Sequence, residues 1–504
     1  MTSSPLEKRD VPLAMDSATF RSLGHALVDQ LAELLAGIPA GPVTREQSPS
    51  DVRRALELDG PLPDQGTAPG PMLEETARRL FAHSLFNGHP RFLGYVTSSP
   101  APIGMLADLL AAAVNPNCGG WMLSPAATEI ETQTVRWIAQ LIGYPVAAGG
   151  LLVSGGNMAN MVGFWAARAA QADWDVRAAG VAGGRRLRAY ASAETHTWIQ
   201  KAADLAGLGT DSVRFIGTGD DLRMDLGSLA RAVAADRAAG DLPFIVVGTA
   251  GSVSTGAVDD LPAIAALCRR EKLWFHVDGA YGGFAAAVEG VPADLRALGL
   301  ADSVAVDPHK WLYAPLEAGC ALVRDPEALT KAFSYHPPYY LLDERAVNYV
   351  DYGPQNSRGF RALKVWLALR QAGAAGYRRM ISDDMALART LDAAVRTHPG
   401  LEPATCELSI STWRCVPPEL RGRIGEPAVD EYLDTLNREV VDRMQKRGEA
   451  FVSNAVVRGR YLLRSCVVNF NTRASDMAAV AALSERMGRE LDAELRPAGL
   501  KPGP

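Results

Sequence analysis

The chain has 504 residues, 48% of them hydrophobic and 21% charged, and its 51 Lys and Arg against 57 Asp and Glu give a formal charge of −6. This is the composition of a globular protein, too apolar to remain unfolded, and it lacks the clustered positive charge of a nucleic-acid binder. The apolar run 106–114 is far short of the roughly 18 residues that cross a bilayer and carries Asp108. The polar start MTSSPLEKRD has no secretory h-region, so a cytoplasmic protein is expected. Six cysteines (Cys118, Cys268, Cys320, Cys406, Cys415 and Cys466) form no CxxC pair and keep no ligand spacing with histidine. Neither a disulfide framework nor a metal site is expected from them.

The first predicted element is an amphipathic helix over 17–38, with Leu23, Ala26, Leu27, Leu31, Leu34 and Leu35 at helical spacing. A proline-rich stretch, 39–71, follows as a wrapping segment or linker. A helix and such a segment cannot build a core alone, so docking on another surface, such as a partner subunit, is expected. From about 100 to 380 helices alternate with short apolar strands. The helices are predicted at 101–114, 125–142, 157–172, 197–207, 226–239 and 261–271. The strands are predicted at 151–153, 187–192, 212–216, 244–248, 273–277 and 302–306. Strands such as FIVVG and LWFHV are apolar almost throughout, as when both faces are covered. Alternating βαβ units predict a mostly parallel sheet flanked by helices. Beyond 380 the texture changes to a helix over 381–400, strands at 407–415 and 464–471, and helices at 427–447 and 475–495. That part reads as a smaller α+β domain, giving the division 1–99, 100–380 and 381–504.

Ligands on such sheets bind beyond the C-terminal strand ends, and three strand ends stand out. Asp307-Pro308-His309-Lys310-Trp311 follows the strand 302–306. A strand-end Lys is ordinarily a solvated charge, but one flanked by Pro, His and Trp can serve as an amine nucleophile in a partly dry pocket. His276-Val277-Asp278-Gly279-Ala280 ends another strand. Asp278 either caps the Asp-Gly turn or needs a cationic partner, such as a heterocycle nitrogen. Ser154-Gly155-Gly156-Asn157 leads into a helix whose free N–H groups would suit an anion; alone it is a tight turn. Together, an anion cradle, a buried Asp and a strand-end Lys are the parts that hold pyridoxal phosphate.

The motifs HPRFLGYV (89–96), SPAATEIE (124–131), VSGGNMAN (153–160), HVDGAYGG (276–283), DPHKW (307–311) and SRGFRALKVW (357–366) resemble those of group II pyridoxal-phosphate-dependent amino-acid decarboxylases, aromatic L-amino-acid decarboxylases among them. The resemblance implies an α/β protein of fold type I, aspartate-aminotransferase-like, with a mostly parallel seven-stranded sheet and a small C-terminal α+β domain. It implies pyridoxal 5'-phosphate as cofactor and a homodimer with shared active sites. By the same resemblance Lys310 forms the Schiff base, Asp278 pairs with the pyridine nitrogen, Ala280 packs near the ring and His196 stacks on its other face. Gly156, Asn157 and His309 match the phosphate region, although Asn157 stands where relatives usually carry Ser or Thr. Thr249 contacts the ring hydroxyl or a carboxylate, and Ser357 reaches the neighbouring subunit's site. The implied route to the amine and CO2 runs through an external aldimine and a quinonoid.

The segment 329–345 resembles the family's catalytic loop, whose Pro-x-Tyr-Leu points to Tyr340 as the proton donor, with Tyr339 the adjacent alternative. Aldehyde-forming relatives carry Phe there. Tyr95 and Ser98 are the candidate substrate contacts. The aromatic Tyr95 suits an apolar side chain, and a tryptophan-like amino acid is the first expectation. Phe86-Asn87-Gly88 and Asn117-Cys118-Gly119 leave an acidic or diamino substrate open. An aldehyde synthase, an aminotransferase using Arg414 or Arg464, and a silent homologue acting as a binding protein are the other readings. A nicotinamide dehydrogenase lacks its GxGxxG here.

Overall fold

The structure is a computed structural model that describes residues 11–337 and 345–500. Its main sheet has seven strands: β1 (Gly149–Val153), β2 (Leu187–Ser192), β3 (Val213–Ile216), β4 (Leu242–Thr249), β5 (Trp274–Asp278), β6 (Ser303–Val306) and β7 (Gly319–Val323). They are ordered β1-β7-β6-β5-β4-β2-β3. β7 runs antiparallel to both its neighbours, β1 and β6, and the remaining pairs are parallel. Every residue of β1, β2, β5, β6 and β7 is buried. Helices cover both faces, which is why the strands read as continuous apolar runs.

Helix limits follow local chemistry. The helix Pro125–Ile142 starts on a proline, whose missing N–H would be unpaired there anyway. It stops at Gly143, which takes the left-handed conformation at φ 73. The helix Leu261–Glu271 is capped by Asp260, whose carboxylate accepts from the Ala263 N–H at 3.0 Å.

A helix spans Ala362–Thr397, interrupted only at Gly373, whose φ of 63 suits glycine. Val365, Leu369, Ile381 and Met385 on it pack into the core of the main sheet. Ala388, Leu391 and Val395 pack into a second core instead, so the helix passes from one core to the other between Met385 and Ala388. Residue 380, where the sequence places a boundary, lies inside it.

The second core lies under a four-stranded antiparallel sheet of β8 (Leu401–Glu407), β9 (Ile410–Cys415), β10 (Ser453–Val457) and β11 (Arg460–Cys466), ordered β10-β11-β9-β8. Trp413 and Leu463 pair across β9 and β11. They pack on the helices Pro427–Arg447 and Ala474–Leu495.

Several expectations are corrected. The sequence reading has no strand at 319–323, where β7 lies. The predicted strand 407–415 shortens to β9, because Leu408 at φ 50 turns the chain out of β8, a strand the sequence reading lacks. The predicted strand 464–471 ends at Cys466. The proline-rich stretch contains the helix Pro49–Ala55 and the start of Pro69–Ala82. The first helix, Ser17–Gly37, buries no residue. It lies against Pro69–Ala82, with the Gln30 amide donating to the Glu74 carbonyl at 3.1 Å. Phe20 and Val28 on it are exposed, as are Leu106, Leu109, Leu110 and Val114 on the helix Pro102–Val114.

Candidate active site

The parallel register sets Thr249 at the end of β4 beside Asp278 at the end of β5. Both are buried. The Trp198 indole N–H donates to Asp278 Oδ2 at 2.7 Å, and the Ala280 N–H donates to Oδ1 at 3.1 Å. A buried carboxylate costs several kcal/mol when unpaired, and these two donors fix its plane. Trp198 is itself wedged edge-on against the ring of His276, 5.6 Å away at 74°. His276 sits between Asn160 Oδ1 and Ser303 Oγ, at 2.7 Å from each. Burial pushes its pKa down to about 4, so the ring is neutral at pH 7.

The loop from β1 to the helix Gly156–Gln171 passes through Gly155 at φ 155, a conformation open to glycine alone. A β-carbon there would lie 3.0 Å from the His309 ring. One on Gly156 would lie 2.6 Å from an Asp307 carboxylate oxygen and 3.0 Å from the Ala280 methyl. The cradle is thus closed to side chains, and the first-turn N–H groups have no intrahelical acceptor.

Lys310 lies on the single turn Pro308–Trp311 after β6. Its Nζ is 3.0 Å from Asp307 Oδ2. The neighbouring His309 ring accepts from the Ala318 N–H through Nδ1 at 3.1 Å, and burial lowers its pKa. The turn is tied from behind: the Trp311 indole N–H and the Tyr313 hydroxyl both donate to Asp384 Oδ2, at 2.9 and 2.7 Å. Asp384 belongs to the helix Ala362–Thr397, and burial pushes its pKa up to about 7. His196 accepts from the Trp198 backbone N–H through Nδ1 at 3.3 Å. The ring is exposed on this chain; the protein atoms around it shift its pKa down, against the opposing pull of Asp278.

These groups face one cavity of about 530 Å³. Of the residues singled out from sequence, Tyr95, Gly156, Asn157, His196, Thr249, Asp278, Ala280, His309 and Lys310 all line it. Ser98 does not; it is buried, and its hydroxyl donates to the His309 carbonyl at 2.8 Å, holding the lysine turn rather than facing the cavity. Ser357 is exposed and does not line this chain's cavity. Tyr339 and Tyr340 lie outside the described residues.

The sequence reading gives no role to Trp198, Asp307 or Glu194, all of which line the cavity. It names Arg464 only for an aminotransferase, yet this residue lines the cavity too. Arg464 is 2% exposed. Its Nη1 donates to the Tyr95 carbonyl and the Ser453 hydroxyl, each at 3.0 Å. Its Nε and Nη2 are buried with no hydrogen-bond partner among the described residues. A lone Arg inside the apolar strand YLLRSC is the signal that could have found it.

A helix-start cradle without room for side chains, an amine and a fixed buried carboxylate around one cavity fit the phosphate, the aldehyde and the ring nitrogen of pyridoxal 5'-phosphate. Comparison with known proteins agrees. The family model described as the pyridoxal-dependent decarboxylase conserved domain matches residues 49–409. An aromatic-L-amino-acid decarboxylase of Bacillus atrophaeus is 32% identical over 484 residues, covering 95% of this chain and 97% of its own. The crystal structure of Oryza sativa TDC with PLP and tryptamine superposes with a TM-score of 0.87 at 29% identity, covering 96% of this chain and 100% of that one. Mouse CSAD superposes with a TM-score of 0.88 at 28% identity, covering 94% and 99%. The chain belongs to the pyridoxal-dependent decarboxylase family, whose members are amino-acid carboxy-lyases working with pyridoxal 5'-phosphate.

Proposed function

We propose that this chain removes CO2 from an aromatic L-amino acid, tryptophan-like in the first instance, and releases the amine. One observation carries the reading: the Lys310 amine, the Asp278 carboxylate and the partner-poor guanidinium of Arg464 face one cavity whose lining includes Tyr95, Val96, Met158, Val253 and Tyr281. The bound cofactor supplies an electron sink for the pair left behind when CO2 departs. Lys310 would bond it, and the first turn at Gly156 and Asn157 would hold its phosphate. Asp278, fixed by Trp198, would face its ring nitrogen. His196, exposed on this chain, would cover the ring. Thr249, beside Asp278, and Ala280 line the ring's edges.

Arg464 supplies two free N–H directions for the substrate carboxylate, and a buried guanidinium meets a carboxylate more strongly than a neutral donor does. Tyr340 is the proton donor to the substrate's α-carbon in this reading. Glu194 lines the cavity, half-buried, with its pKa raised by burial. Its charge repels an acidic side chain and supports a second reading in which the substrate is a diamino acid.

A homodimer is part of the proposal. The unburied helix Ser17–Gly37 and the exposed leucines of Pro102–Val114 support it, and Ser357, exposed on its own chain, is free to serve the neighbouring site. Six free cysteines, five of them buried, support a cytoplasmic setting. Among the described residues no helix is long and apolar enough to cross a membrane.

The test is mass spectrometry of products from pooled L-amino acids with protein and pyridoxal phosphate, beside Lys310→Ala. One accumulating amine, absent from the control, names the substrate. Aldehyde or keto acid alone refutes amine release, and no product in any arm refutes the enzyme reading for these substrates.

A further inference from the structure

Asp307 opens the DPHKW motif, and nothing in the proposed chemistry uses it. Its side chain is 1% exposed, with Oδ2 at 3.0 Å from Lys310 Nζ and 3.7 Å from His309 Nε2. The second distance is too long for a hydrogen bond, and burial disfavours a charged His309. Lys310 is therefore the cation within bonding reach. The other oxygen, Oδ1, is buried with no hydrogen-bond partner among the described residues. A β-carbon on Gly156 would lie 2.6 Å from Oδ2, so this carboxylate also touches the floor of the anion cradle. A negative charge there opposes phosphate binding, and its one favourable ionic contact is to the lysine amine.

We propose that Asp307 is the positioning residue for Lys310. It holds the ε-ammonium group whenever Lys310 is not bonded to the cofactor, and keeps that nitrogen in place to bond again, once it has given up a proton, when the amine leaves. The proposal rests on Lys310 being the cofactor-bonding lysine. In that exchange the substrate's ammonium would pass two protons to Nζ as its nitrogen replaces Nζ on the cofactor carbon, so Lys310 would leave as an ammonium and charge would balance. Asp307 meets the leaving cation with no proton lost to solvent.

The test is a double-mutant cycle on the thermal unfolding of the full-length chain stripped of pyridoxal phosphate, the state in which Lys310 carries its ammonium. Lys310→Met leaves Asp307 buried and unpaired and is expected to lower Tm by about 5 °C. Asp307→Asn alone lowers it as well, because Lys310 loses its partner. The double variant lies above Lys310→Met. A double variant whose loss is the sum of the two singles overturns the proposal, and so does an Asp307→Asn that raises Tm by itself, since burying the carboxylate would then cost more than its pairing with Lys310 returns.

Rapid-mixing kinetics give a second reading that does not need Lys310→Met to fold. Asp307→Asn should show a burst of about one amine per site and then a steady rate roughly tenfold slower, with the burst abolished in Asp307→Glu. Steady turnover without a burst overturns the proposal. Borohydride trapping followed by peptide mass analysis tests the underlying reading separately: cofactor carried on any lysine but Lys310 refutes that reading, whatever the cycle shows.

Discussion

Replacing Trp198 by Phe keeps an aromatic ring against Phe164 and His276 and deletes one N–H. That N–H is the 2.7 Å donor to Asp278 Oδ2, in a site where Trp198 is fully buried and Asp278 is 8% exposed. A hydrogen bond to a charged group contributes about 1.5–3 kcal/mol, and water cannot replace it in a site this dry. Asp278 keeps only the Ala280 N–H and is free to rotate about that contact. If Asp278 faces the cofactor as proposed and the whole loss falls on it, cofactor affinity drops about 10- to 150-fold. The assay is equilibrium dialysis of pyridoxal phosphate against parent and Trp198→Phe, with far-ultraviolet circular dichroism to show an unchanged fold. Equal affinity in the two proteins would refute the claim that Trp198 orients Asp278 for the ring. A loss confined to Tm would assign the indole to packing alone.

The remaining predictions concern substrate, pH and cradle. Arg464→Met should raise KM for the amino acid by about 30-fold or more, a cost of roughly 2 kcal/mol for one missing partner of a buried charge pair, while cofactor affinity holds; an unchanged KM removes Arg464 from the carboxylate site. His276, with its pKa pushed down to about 4, takes up its proton more readily unfolded than folded, so its contribution to stability is complete above about pH 6.5 and falls by roughly 3 kcal/mol on the way to pH 4. Tm measured from pH 7 to 4 should therefore fall more steeply for the parent than for His276→Gln, and parallel curves contradict this. Gly156→Ala should fold normally and bind little pyridoxal phosphate, because the added methyl meets Asp307 at 2.6 Å; full cofactor occupancy by absorbance rejects the cradle. Tyr340→Phe should lose amine and gain aldehyde, ammonia and peroxide, and undiminished amine output removes the proton-donor role.

The features legible in the sequence are those whose causes are local. Pro125 and Gly143 bracket a helix that the apolar period already outlines, and its ends are as expected. β2 is bounded as expected because Arg185-Arg186 precede it and Glu194-Thr195 follow its end. β7 escapes because GCALV is short, opens on glycine and reverses direction between β1 and β6. The start of the helix Ala362–Thr397 is hidden by the Ala/Gly run around Gly373, which weakens the helical signal at the residue that breaks it. The same division holds in the cavity. Lys310, Asp278 and His196 follow strands inside contiguous motifs, and a reader of strand ends finds them. Trp198 acquires meaning only through Asp278, 80 residues on, and Ser98 looks like a substrate contact until its hydroxyl is found on the His309 carbonyl.

The tie between the lysine turn and Asp384 turns the helix Ala362–Thr397 into a lever. Trp311 and Tyr313 grip it at Asp384, one turn before it enters the second core at Ala388. A change of tilt there is handed directly to the segment that carries Lys310. Volume changes at Ala388 or Leu391, remote from the cavity in the chain and in chemistry, should therefore show up in how firmly the cofactor is held, and cofactor retention becomes a gauge of the packing of the smaller sheet.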